Sequence, residues 1–519
     1  MILTNGMIFG SCRNGGTSNN GTLYFMGTNG IPYQTIHNFG GTPFDGGSPN
    51  NITVAGGTIY GTTFSGSTNS ASYGTIYKIG TNGNNYSILR VFTNLPDGSS
   101  PMSALVLAGT NLFGTATAGG TNGQGILFSI GTNGANYNIW HTFLTNGVDG
   151  LQPQGSLILL GTNLYGTTKY GGRNGGPNNG GTVFRICTNG SSYTIIHNFT
   201  NQATDGTVPV AALVAVTNVL YGTTSLGGSN NTGIIFGLTT NGTSYSILAQ
   251  FSKFTTPASN NIGIYSYSPL TWSGNRLWGE CYVGGANNFG TLFQLYTNGA
   301  NFVVLKSFTN APDGNYPHGA LTVVSSNLLF GTTDFGGANN AGIAYMLSLT
   351  APVISQQPQN VTVTNGYPSS FSAQAAGVGL LNYQWYFHTN AVITNATGTT
   401  YGITNTITNN IGTYNVIVTN SFGSVTSSYA KLSVISVPVL LDYGYNSTNG
   451  SFNLALAYSP TATNRIWAST NLMGTNLLMP TNFWHVIATN KMGTNGLWFF
   501  TDTNTAKTNH FRFYRYSTP

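Results

Sequence analysis

The stretch LYGTTKYGGRNGGPNNGGTVFRI, Leu164 to Ile186, recurs in modified form along most of this chain. It consists of two short apolar runs separated by a long loop of glycine and asparagine. A glycine-rich loop holds phosphate where a strand leads into the N-terminus of a helix, but the segment after this loop has the pattern of another strand. The stretch therefore predicts a strand–loop–strand unit and not a nucleotide site.

The repeat can be followed through the glycine of its apolar-aromatic-glycine step. This glycine occurs seven times, at intervals that range from 51 residues (first interval) to 57 residues (fifth interval): Gly10, Gly61, Gly114, Gly166, Gly222, Gly279 and Gly331. A period of this length, built from short apolar runs and turn residues, is typical of β-propeller blades rather than of helical solenoids. Seven repeats predict a seven-bladed ring.

Each repeat is predicted to form four strands, as in SLILL, LYGTT, GTVFRI and YTIIHNF around Gly166. The turns GTN and TNG are hairpin sequences, because glycine and asparagine adopt a left-handed backbone at low cost. The aromatic positions of the second and third strands occur seven times, whereas those of the fourth strand occur six times. The last blade is therefore predicted to lack its outer strand.

Such a blade has an open edge with unpaired backbone N–H and C=O groups, which predicts pairing with another strand, including self-association of the protein. The N-terminal residues MILTNGMIFG do not have the pattern of a signal peptide. We therefore expect the natural protein to be longer at its N-terminus, with the missing strand and a signal peptide before Met1.

The recurring elements LYGTT..GG, GT.F, TNG..Y.I...F and DG..P resemble the GloVer tandem repeat of bacterial secreted and surface proteins over residues 1–350. The resemblance implies an extracellular or cell-surface location and C-terminal attachment modules. It implies no catalytic residues.

Two smaller modules follow the repeats. Residues 351–436, with PVISQQPQNVTV, YQWY and GTYNVIVTNSFGS, resemble an I-set-like immunoglobulin domain. The resemblance implies that Trp385 is the core tryptophan and Tyr414 the tyrosine corner, and that Ala373 and Val416 occupy the places of the cysteine pair. Residues 437–519 alternate apolar and polar residues in SFNLALAY and RIWAST, which predicts a second small β-sandwich. The predicted fold is all-β throughout.

Composition excludes several classes of partner. Only 5% of the residues are charged, and the net charge of +6 comes from scattered Lys and Arg side chains. Nucleic-acid binding needs a concentrated basic face, so we expect no nucleic-acid partner. No apolar run approaches the ~18 residues of a membrane span, so we expect no membrane insertion. Cys12, Cys187 and Cys281 lack the spacing of metal ligands, and we expect buried, inert thiols and neither metal nor cofactor.

The acidic residues mostly follow the repeat. Five of the nine occupy its DG turn, which predicts Asx-turn formers rather than calcium ligands: Asp45, Asp97, Asp149, Asp205 and Asp313. A column of the fourth strand accepts histidine, arginine, lysine and alanine, which predicts a solvated outer strand: His37, Arg90, His141, His197, Ala249 and Lys306.

Two carboxylates break the repeat. Glu280 and Asp334 fall on the predicted long-loop face of adjacent blades, and paired carboxylates are the minimum apparatus of a glycosidase. They are the candidates for catalysis. No Arg, His or Tyr recurs around them as a substrate-binding set, so we interpret them as polar loop substitutions.

Aromatic residues outside the packing columns also fall on this face. Sugars stack on aromatic rings and hydrogen-bond to amides, and the face offers both. The predicted ligand-binding residues are Tyr170, Tyr265, Tyr267, Tyr282, Tyr316 and Phe335, with Phe44 and Phe289 as further aromatic positions. Trp272 is predicted to pack in the core of a first strand.

These observations favour a secreted or cell-surface, non-enzymatic binding or adhesion protein that recognises a polysaccharide or another surface ligand. Two alternatives stay open. One is a polysaccharide-active enzyme, a hydrolase or a lyase, that uses the same face. The other is a structural component of a surface coat.

Overall fold

The computed structural model describes residues 1–41, 44–66, 73–173, 180–200, 203–252, 263–389 and 391–435, and six strands between residues 439 and 517. These residues form β-strands, loops and one short 3₁₀ helix, Thr408–Asn410, so the all-β prediction is confirmed. The chain divides into two compact units, Met1–Ala351 with Val378–Leu380, and Pro352–Gly377 with Leu381–Pro519.

The first unit contains seven antiparallel sheets, one for each sequence repeat. Sheet 1 contains β1 (Ile2–Thr4), β2 (Met7–Cys12), β3 (Thr22–Gly27) and β4 (Tyr33–Asn38). Sheet 2 contains β5 (Gly47–Pro49), β6 (Thr53–Ala55), β7 (Thr58–Ser65), β8 (Thr75–Gly80) and β9 (Ser87–Val91). Sheet 3 contains β10 (Val106–Ala108), β11 (Asn111–Ala116), β12 (Ile126–Gly131) and β13 (Asn138–Thr142).

Two of the remaining sheets carry a short additional strand pair beside them. Beside the pair β14 (Gly150–Leu151) and β17 (Tyr170–Gly171), sheet 4 contains β15 (Ile158–Leu160), β16 (Asn163–Thr168), β18 (Thr182–Cys187) and β19 (Thr194–Asn198). Beside the pair β20 (Gly206–Thr207) and β23 (Leu226–Gly227), sheet 5 contains β21 (Val214–Val216), β22 (Val219–Thr224), β24 (Ile234–Thr239) and β25 (Tyr245–Gln250). Sheet 6 contains β26 (Thr271–Ser273), β27 (Arg276–Cys281), β28 (Thr291–Tyr296) and β29 (Val303–Ser307). Sheet 7 contains β30 (Asn315–Pro317), β31 (Thr322–Ser325), β32 (Leu328–Phe335) and β33 (Ala344–Ser348).

Sheet 7 differs from the others at its outer edge. In sheets 1 to 6 the third long strand pairs with a fourth strand, but β33 pairs only with β32 among the described residues. The strand that follows, β34 (Val353–Gln356), pairs with β37 (Gln374–Ala376) in the second unit. Within the part of the chain that the structure describes, the last sheet thus has no outer strand, in agreement with the count of aromatic columns.

The recurring glycine of the second strand has a steric cause. A Cβ atom on Gly166 would lie 2.5 Å from Cζ of Phe184, the aromatic residue directly opposite on the third strand. The same conflict with the third-strand aromatic ring recurs in each repeat. The apolar-aromatic-glycine step therefore makes room for a ring that crosses the strand.

Buried aromatic side chains join successive sheets. Phe143 of the loop after β13 packs edge-to-face on Phe184 of sheet 4, with 5.6 Å between the ring centroids, and both are fully buried. Equivalent pairs occur at the other junctions. Sheets 1 and 7 also touch, since Thr322 donates a 2.8 Å hydrogen bond to the carbonyl of Met1, and Tyr24 shares a buried cluster with Phe330.

A polar contact accompanies each of four junctions, and we call it the inter-sheet clamp. At the junction of sheets 3 and 4, His141 Nε2 lies 2.8 Å from Asp149 Oδ2, and the Tyr193 hydroxyl donates to Asp149 Oδ1 at 2.7 Å. The imidazole of His141 stacks on the ring of Tyr193 at 3.7 Å. The aspartate, its basic partner and the tyrosine of the next sheet thus form one unit.

The clamp recurs with small variations. Its members at the other three junctions are His37, Asp45 and Tyr86, then Arg90, Asp97 and Tyr137, then His197, Asp205 and Tyr245. Tyr86 and Tyr137 donate to the backbone carbonyls of their aspartates and not to the carboxylates, and His197 Nε2 lies 3.5 Å from Asp205 Oδ1. In sheet 6, Lys306 pairs with Asp313 at 2.6 Å. The expectation of a solvated outer strand is therefore wrong for the histidines, and the DG aspartates do more than form turns.

The second unit contains several small sheets. A six-stranded sheet runs in the order β35 (Val361–Thr364), β43 (Ala430–Ile435), β41 (Gly412–Asn420), β38 (Asn382–Phe387) and β39 (Ala391–Val392), with β42 (Gly423–Thr426) on β41. A two-stranded sheet pairs β36 (Ser369–Ser372) with β40 (Thr400–Ile403). Two three-stranded sheets follow, β44 (Val439–Asn446), β45 (Ser451–Ala457) and β48 (Leu497–Asp502), and β47 (His485–Lys491), β46 (Thr463–Ser469) and β49 (Phe513–Ser517).

The core of the second unit surrounds Trp385, which is fully buried and donates from Nε1 to the carbonyl of Gly398 at 2.9 Å. The Tyr414 hydroxyl donates to the carbonyl of Asn410 at 2.9 Å. Ala373 and Val416 are fully buried beside them. This core is therefore held by packing and by two hydrogen bonds from aromatic side chains.

Candidate functional site

The first unit contains a cavity of about 1310 Å³ that is lined by residues from all seven repeats. Its walls come from the ends of the second strands, from the residues that follow them, and from the segments that precede the first strands, together with Tyr24, Met26 and Tyr33 of sheet 1 and residues 341–344 of sheet 7. The lining includes Ser11, Phe64, Met102, Tyr170, Ser225, Tyr267 and Asp334. A concave surface of this size, with apolar and polar side chains together, is the usual form of a ligand site.

The position three residues after the recurring glycine lines the cavity in five of the seven repeats, at Arg13, Phe64, Lys169, Ser225 and Asp334. It holds a different kind of side chain in nearly every repeat: Arg13, Phe64, Thr117, Lys169, Ser225, Tyr282 and Asp334. The strands that carry these residues pair in the same antiparallel register, with the recurring glycine opposite an aromatic residue. A constant scaffold with variable side chains at one edge is the arrangement in which loop residues carry recognition.

Five of the six aromatic residues predicted to bind ligand lie together beside sheets 6 and 7, and three of them, Tyr265, Tyr267 and Phe335, line the cavity. The rings of Tyr265 and Tyr267 are stacked at 6.2 Å, and Tyr267 meets Tyr282 edge-to-face at 5.5 Å. Tyr282 stacks on Tyr316 at 4.9 Å, and Tyr316 meets Phe335 at 6.1 Å. We call these five residues the aromatic cluster.

Two members of the cluster sit on an unusual backbone. Tyr265 and Tyr316 have φ angles of 57° and 56°, in the left-handed region that side chains other than glycine seldom adopt. The same loop position has a positive φ in four other repeats, at Ser48, Ser100, Gln152 and Val208. The backbone N–H of Tyr316 is fixed by a 2.8 Å hydrogen bond to the carbonyl of Phe289. The positive φ is thus a common feature of this loop in the repeats, and sheets 6 and 7 have a tyrosine where the other repeats have a different residue.

Two polar groups adjoin the aromatic cluster. The ring of His318 meets those of Tyr267 and Tyr282 edge-to-face, at 5.8 Å from each. His318 Nδ1 lies 3.5 Å from Asp334 Oδ2, and both side chains are about two-fifths exposed. They supply a hydrogen-bond donor and an acceptor within reach of a molecule stacked on the tyrosines. The sequence analysis did not identify His318, because it considered the histidines of the fourth-strand column and His318 lies outside that column.

Glu280 is not accessible at this site. Its side chain is fully buried and accepts hydrogen bonds from the Tyr345 hydroxyl and, at 3.2 Å, from Ser268 Oγ. The pKa of Glu280 is raised to about 8, mainly by burial and in small part by the charge of Asp334, while the two hydrogen bonds oppose this rise. Of the two candidate carboxylates, only Asp334 therefore faces solvent.

The other predicted positions lie apart. Tyr170 lines the cavity from sheet 4, with Lys169 Nζ 4.9 Å from its ring centroid. Phe44 is about half exposed, and Phe289 packs on Tyr316 at the edge of the cluster. Trp272 is 44% exposed, so the expectation that it packs in the core is wrong. The fully or nearly buried position of that segment lies two residues earlier, at Leu270.

The thiols and the titratable side chains do not form a metal site in the described residues. Cys281 is buried as expected, Cys187 is half-buried, and Cys12 is exposed, contrary to expectation. No group of three or more His, Cys, Asp or Glu side chains converges as metal ligands in the part of the chain that the structure describes. Among the same residues, no helix is long and apolar enough to cross a membrane.

The strands, the repeated clamps and the cavity rim define an all-β protein built from tandem repeats. The Gloeobacter/Verrucomicrobia repeat family matches residues 1–176 and 172–401, and the chain belongs to this family.

Similarity to characterised proteins is confined to short segments. An 88-residue segment is 34% identical to endoglucanase C of Cellulomonas fimi, which covers 16% of this chain and 8% of that enzyme. Among solved structures, a chimeric titin Z1Z2 functionalized with a decorin peptide is 23% identical over 17% of this chain and 97% of its own, with a TM-score of 0.15. Titin M4 is 26% identical over 16% of this chain and 96% of its own, also with a TM-score of 0.15. Scores of this size do not establish a shared fold.

Proposed function

We propose that residues 1–350 close into a seven-bladed β-propeller whose cavity binds a carbohydrate polymer, in a protein displayed outside the cell. The aromatic cluster on the cavity rim is the observation that carries this proposal. Aromatic rings bind the apolar faces of sugars, while amide, hydroxyl and imidazole groups bind the sugar hydroxyls, and both kinds of group meet at this rim.

Closure of the ring is supported by the contacts between its first and last sheets. Thr322 bonds to the carbonyl of Met1, and Ile8 and Tyr24 pack with Phe330. Each of the other sheets contacts its neighbours in the chain through the buried aromatic pairs. A ring of sheets would also explain why one cavity is lined from all seven repeats.

We further propose that residues 351–436 form an immunoglobulin-like domain and residues 437–519 a small sandwich, which act as spacer and attachment modules. The buried Trp385 and the hydrogen bond from Tyr414 to Asn410 support the first assignment. Ala373 and Val416 would then stand at the cysteine positions of such a domain. The two three-stranded sheets of β44 to β49 support the second assignment.

A binding role without catalysis is favoured over hydrolysis by the burial of Glu280. A general acid or a nucleophile must touch the glycosidic oxygen or the anomeric carbon, and the Glu280 carboxyl is enclosed by Tyr345 and Ser268. Among the residues that the structure describes, Asp334 then has no accessible carboxylate partner for the two-carboxylate mechanism. Because a short segment is similar to an endoglucanase, the enzymatic alternative should be tested as well.

A panel of polysaccharides tests these functions directly. Affinity electrophoresis or pull-down measures retention, while assays of reducing ends and unsaturated products measure turnover in the same samples. We expect retention without turnover, and a Tyr282→Ala variant should bind about tenfold more weakly, which corresponds to about 1.4 kcal/mol. Tyr367→Ala is the matched control, because Tyr367 is 64% exposed and belongs to the second unit.

The remaining outcomes separate the alternatives. Turnover that is abolished by Asp334→Asn would establish an enzyme and contradict the binding proposal. Neither retention nor turnover across the panel, together with ordered self-assembly of the purified chain, would favour a structural coat component.

A further inference from the structure

Among the described residues, the outer edge of β33 lacks contacts that a fourth strand supplies in sheets 1 to 6. In sheets 1 to 6, the backbone N–H of the phenylalanine after the fourth strand donates to the carbonyl of the glycine before the third strand, as Phe199 does to Gly181 at 3.0 Å. The equivalent pairs are Phe39 with Gly21, Phe92 with Gly74, Phe143 with Gly125, Phe251 with Gly233 and Phe308 with Gly290. In sheet 7 the equivalent carbonyl is that of Gly342, which accepts no such bond from the described residues.

Side chains on both sides of the edge also lack the partner that their counterparts have. Each third-strand aromatic ring of sheets 1 to 6 lies 5.1 to 6.0 Å from an aromatic ring of the fourth strand. Tyr345 occupies this position in sheet 7 and has no fourth-strand ring beside it in the described chain. Asp313 is held by Lys306 but, unlike four other DG aspartates, meets no tyrosine hydroxyl among the described residues.

The first sheet shows the complementary feature. Tyr33 occupies the column of the clamp tyrosines Tyr86, Tyr137, Tyr193 and Tyr245, which are half-buried against the aspartate of the preceding sheet. Tyr33 is instead 59% exposed. One added segment would supply the contacts on both sides. Its tyrosine would contact Asp313 and Tyr345, its phenylalanine would contact Gly342 and Tyr24, and its aspartate would contact Tyr33.

We propose that the β33 edge binds an extended polypeptide strand that lies outside residues 1–519. Its sequence should be Tyr-x-x-apolar-basic-x-Phe, followed within about eight residues by Asp-Gly, which is the pattern of the fourth strands of sheets 1 to 4. The strand lies antiparallel to β33 and completes sheet 7, as in strand addition to other open sheet edges. A second copy of this chain is a poor donor, because its own six segments of this kind are already bound in their sheets.

The backbone of β33 shows which groups the added strand would meet. Ile343 exchanges hydrogen bonds with Thr333, and the Leu349 N–H bonds to the Asn327 carbonyl, so odd-numbered residues face β32 and its turn. The alternation of a strand directs the N–H groups of Ala344, Met346 and Ser348 to the open edge. Met346 is 53% exposed. A proline at 346 would block strand addition without removing a bond to β32.

A fluorescent peptide with the sequence of residues 193–207, YTIIHNFTNQATDGT, tests the proposal on the full 519-residue chain. We expect saturable binding by fluorescence anisotropy, and slower hydrogen exchange of the Ala344, Met346 and Ser348 amides. A peptide with alanine in place of both its tyrosine and its phenylalanine should bind at least tenfold more weakly. Binding should be lost in Met346→Pro, and weakened severalfold in Tyr33→Phe.

Several results would overturn the proposal. These are the absence of binding to the parent chain, equal binding of the two peptides, and protection of amides elsewhere but not on β33. A stable dimer of the parent chain that excludes the peptide would assign the edge to a second copy instead. If Met346→Pro does not fold, the hydrogen-exchange pattern of the parent chain and its binding of the alanine-substituted peptide still test the proposal.

Discussion

The Tyr193 hydroxyl of sheet 4 donates a 2.7 Å hydrogen bond to Oδ1 of Asp149, which follows the outer strand of sheet 3. The chain itself shows that this contact is a unit. The fifth repeat has Ala249 at the basic position and no acidic residue between 250 and 264, and the next repeat has Phe302 in place of the tyrosine. All three members of the clamp are thus missing together at that junction.

The first prediction concerns this contact. Tyr193→Phe should destabilise the protein by about 1.5 to 3 kcal/mol, since it leaves a nearly buried carboxylate without one of its donors. The thermal unfolding midpoint at neutral pH measures the effect. Phe302→Tyr adds the same hydroxyl where no aspartate is present, and should change stability by less than about 0.5 kcal/mol. Equal effects of the two substitutions would contradict the clamp.

A second prediction concerns the repeated glycine. Gly166→Ala places a Cβ atom 2.5 Å from Cζ of Phe184, and should destabilise by about 1 to 3 kcal/mol through overpacking. Phe184→Leu should relieve the conflict in the double variant, so the two effects should be less than additive. Gly402→Ala is the control, because Gly402 lies in a strand with no atom within 4 Å of the added Cβ. Simple additivity would exclude the steric explanation.

A third prediction concerns pH. The pKa of Glu280 is raised from its ordinary value of 4.5 to about 8, so the folded protein holds this proton where the unfolded chain releases it. The stability that the neutral carboxyl contributes is complete below about pH 4.5 and is lost as the pH rises through about 8. Glu280→Gln cannot ionise and should gain thermal stability relative to the parent between pH 5 and pH 9. A constant difference across this range would show that Glu280 does not titrate as stated.

A fourth prediction concerns the binding mode. Few charges surround the aromatic cluster, so carbohydrate retention should change less than twofold between low and moderate salt. Tyr316→Ala should weaken retention as Tyr282→Ala does, because the two rings are stacked. Lys431→Ala, on the second unit, serves as a control for general charge effects. A steep loss of binding with salt would instead indicate a charge-driven mode at the rim.

The site was only partly readable from the sequence. Column analysis identified the aromatic residues that leave the repeat, and five of them meet at one rim. It did not identify His318, which approaches Tyr267 from 51 positions along the chain. It also placed Glu280 on an accessible face, although Tyr345 of the neighbouring sheet covers it. Trp272 was assigned to the core by its column, yet the buried residue is Leu270, two positions earlier.

The sequence by itself determined the local structure: the repeat period, the hairpins, the strand order within each sheet and the unfilled place after β33. These features depend on neighbours in the chain, such as Gly and Asn in the turns and Gly166 opposite Phe184. Only the tertiary structure decided which side chains of different sheets meet. Asp149 and Tyr193 are 44 residues apart, and Glu280 and Tyr345 are 65 residues apart. Their contacts arise because one sheet packs on the next, and local sequence patterns do not predict that packing.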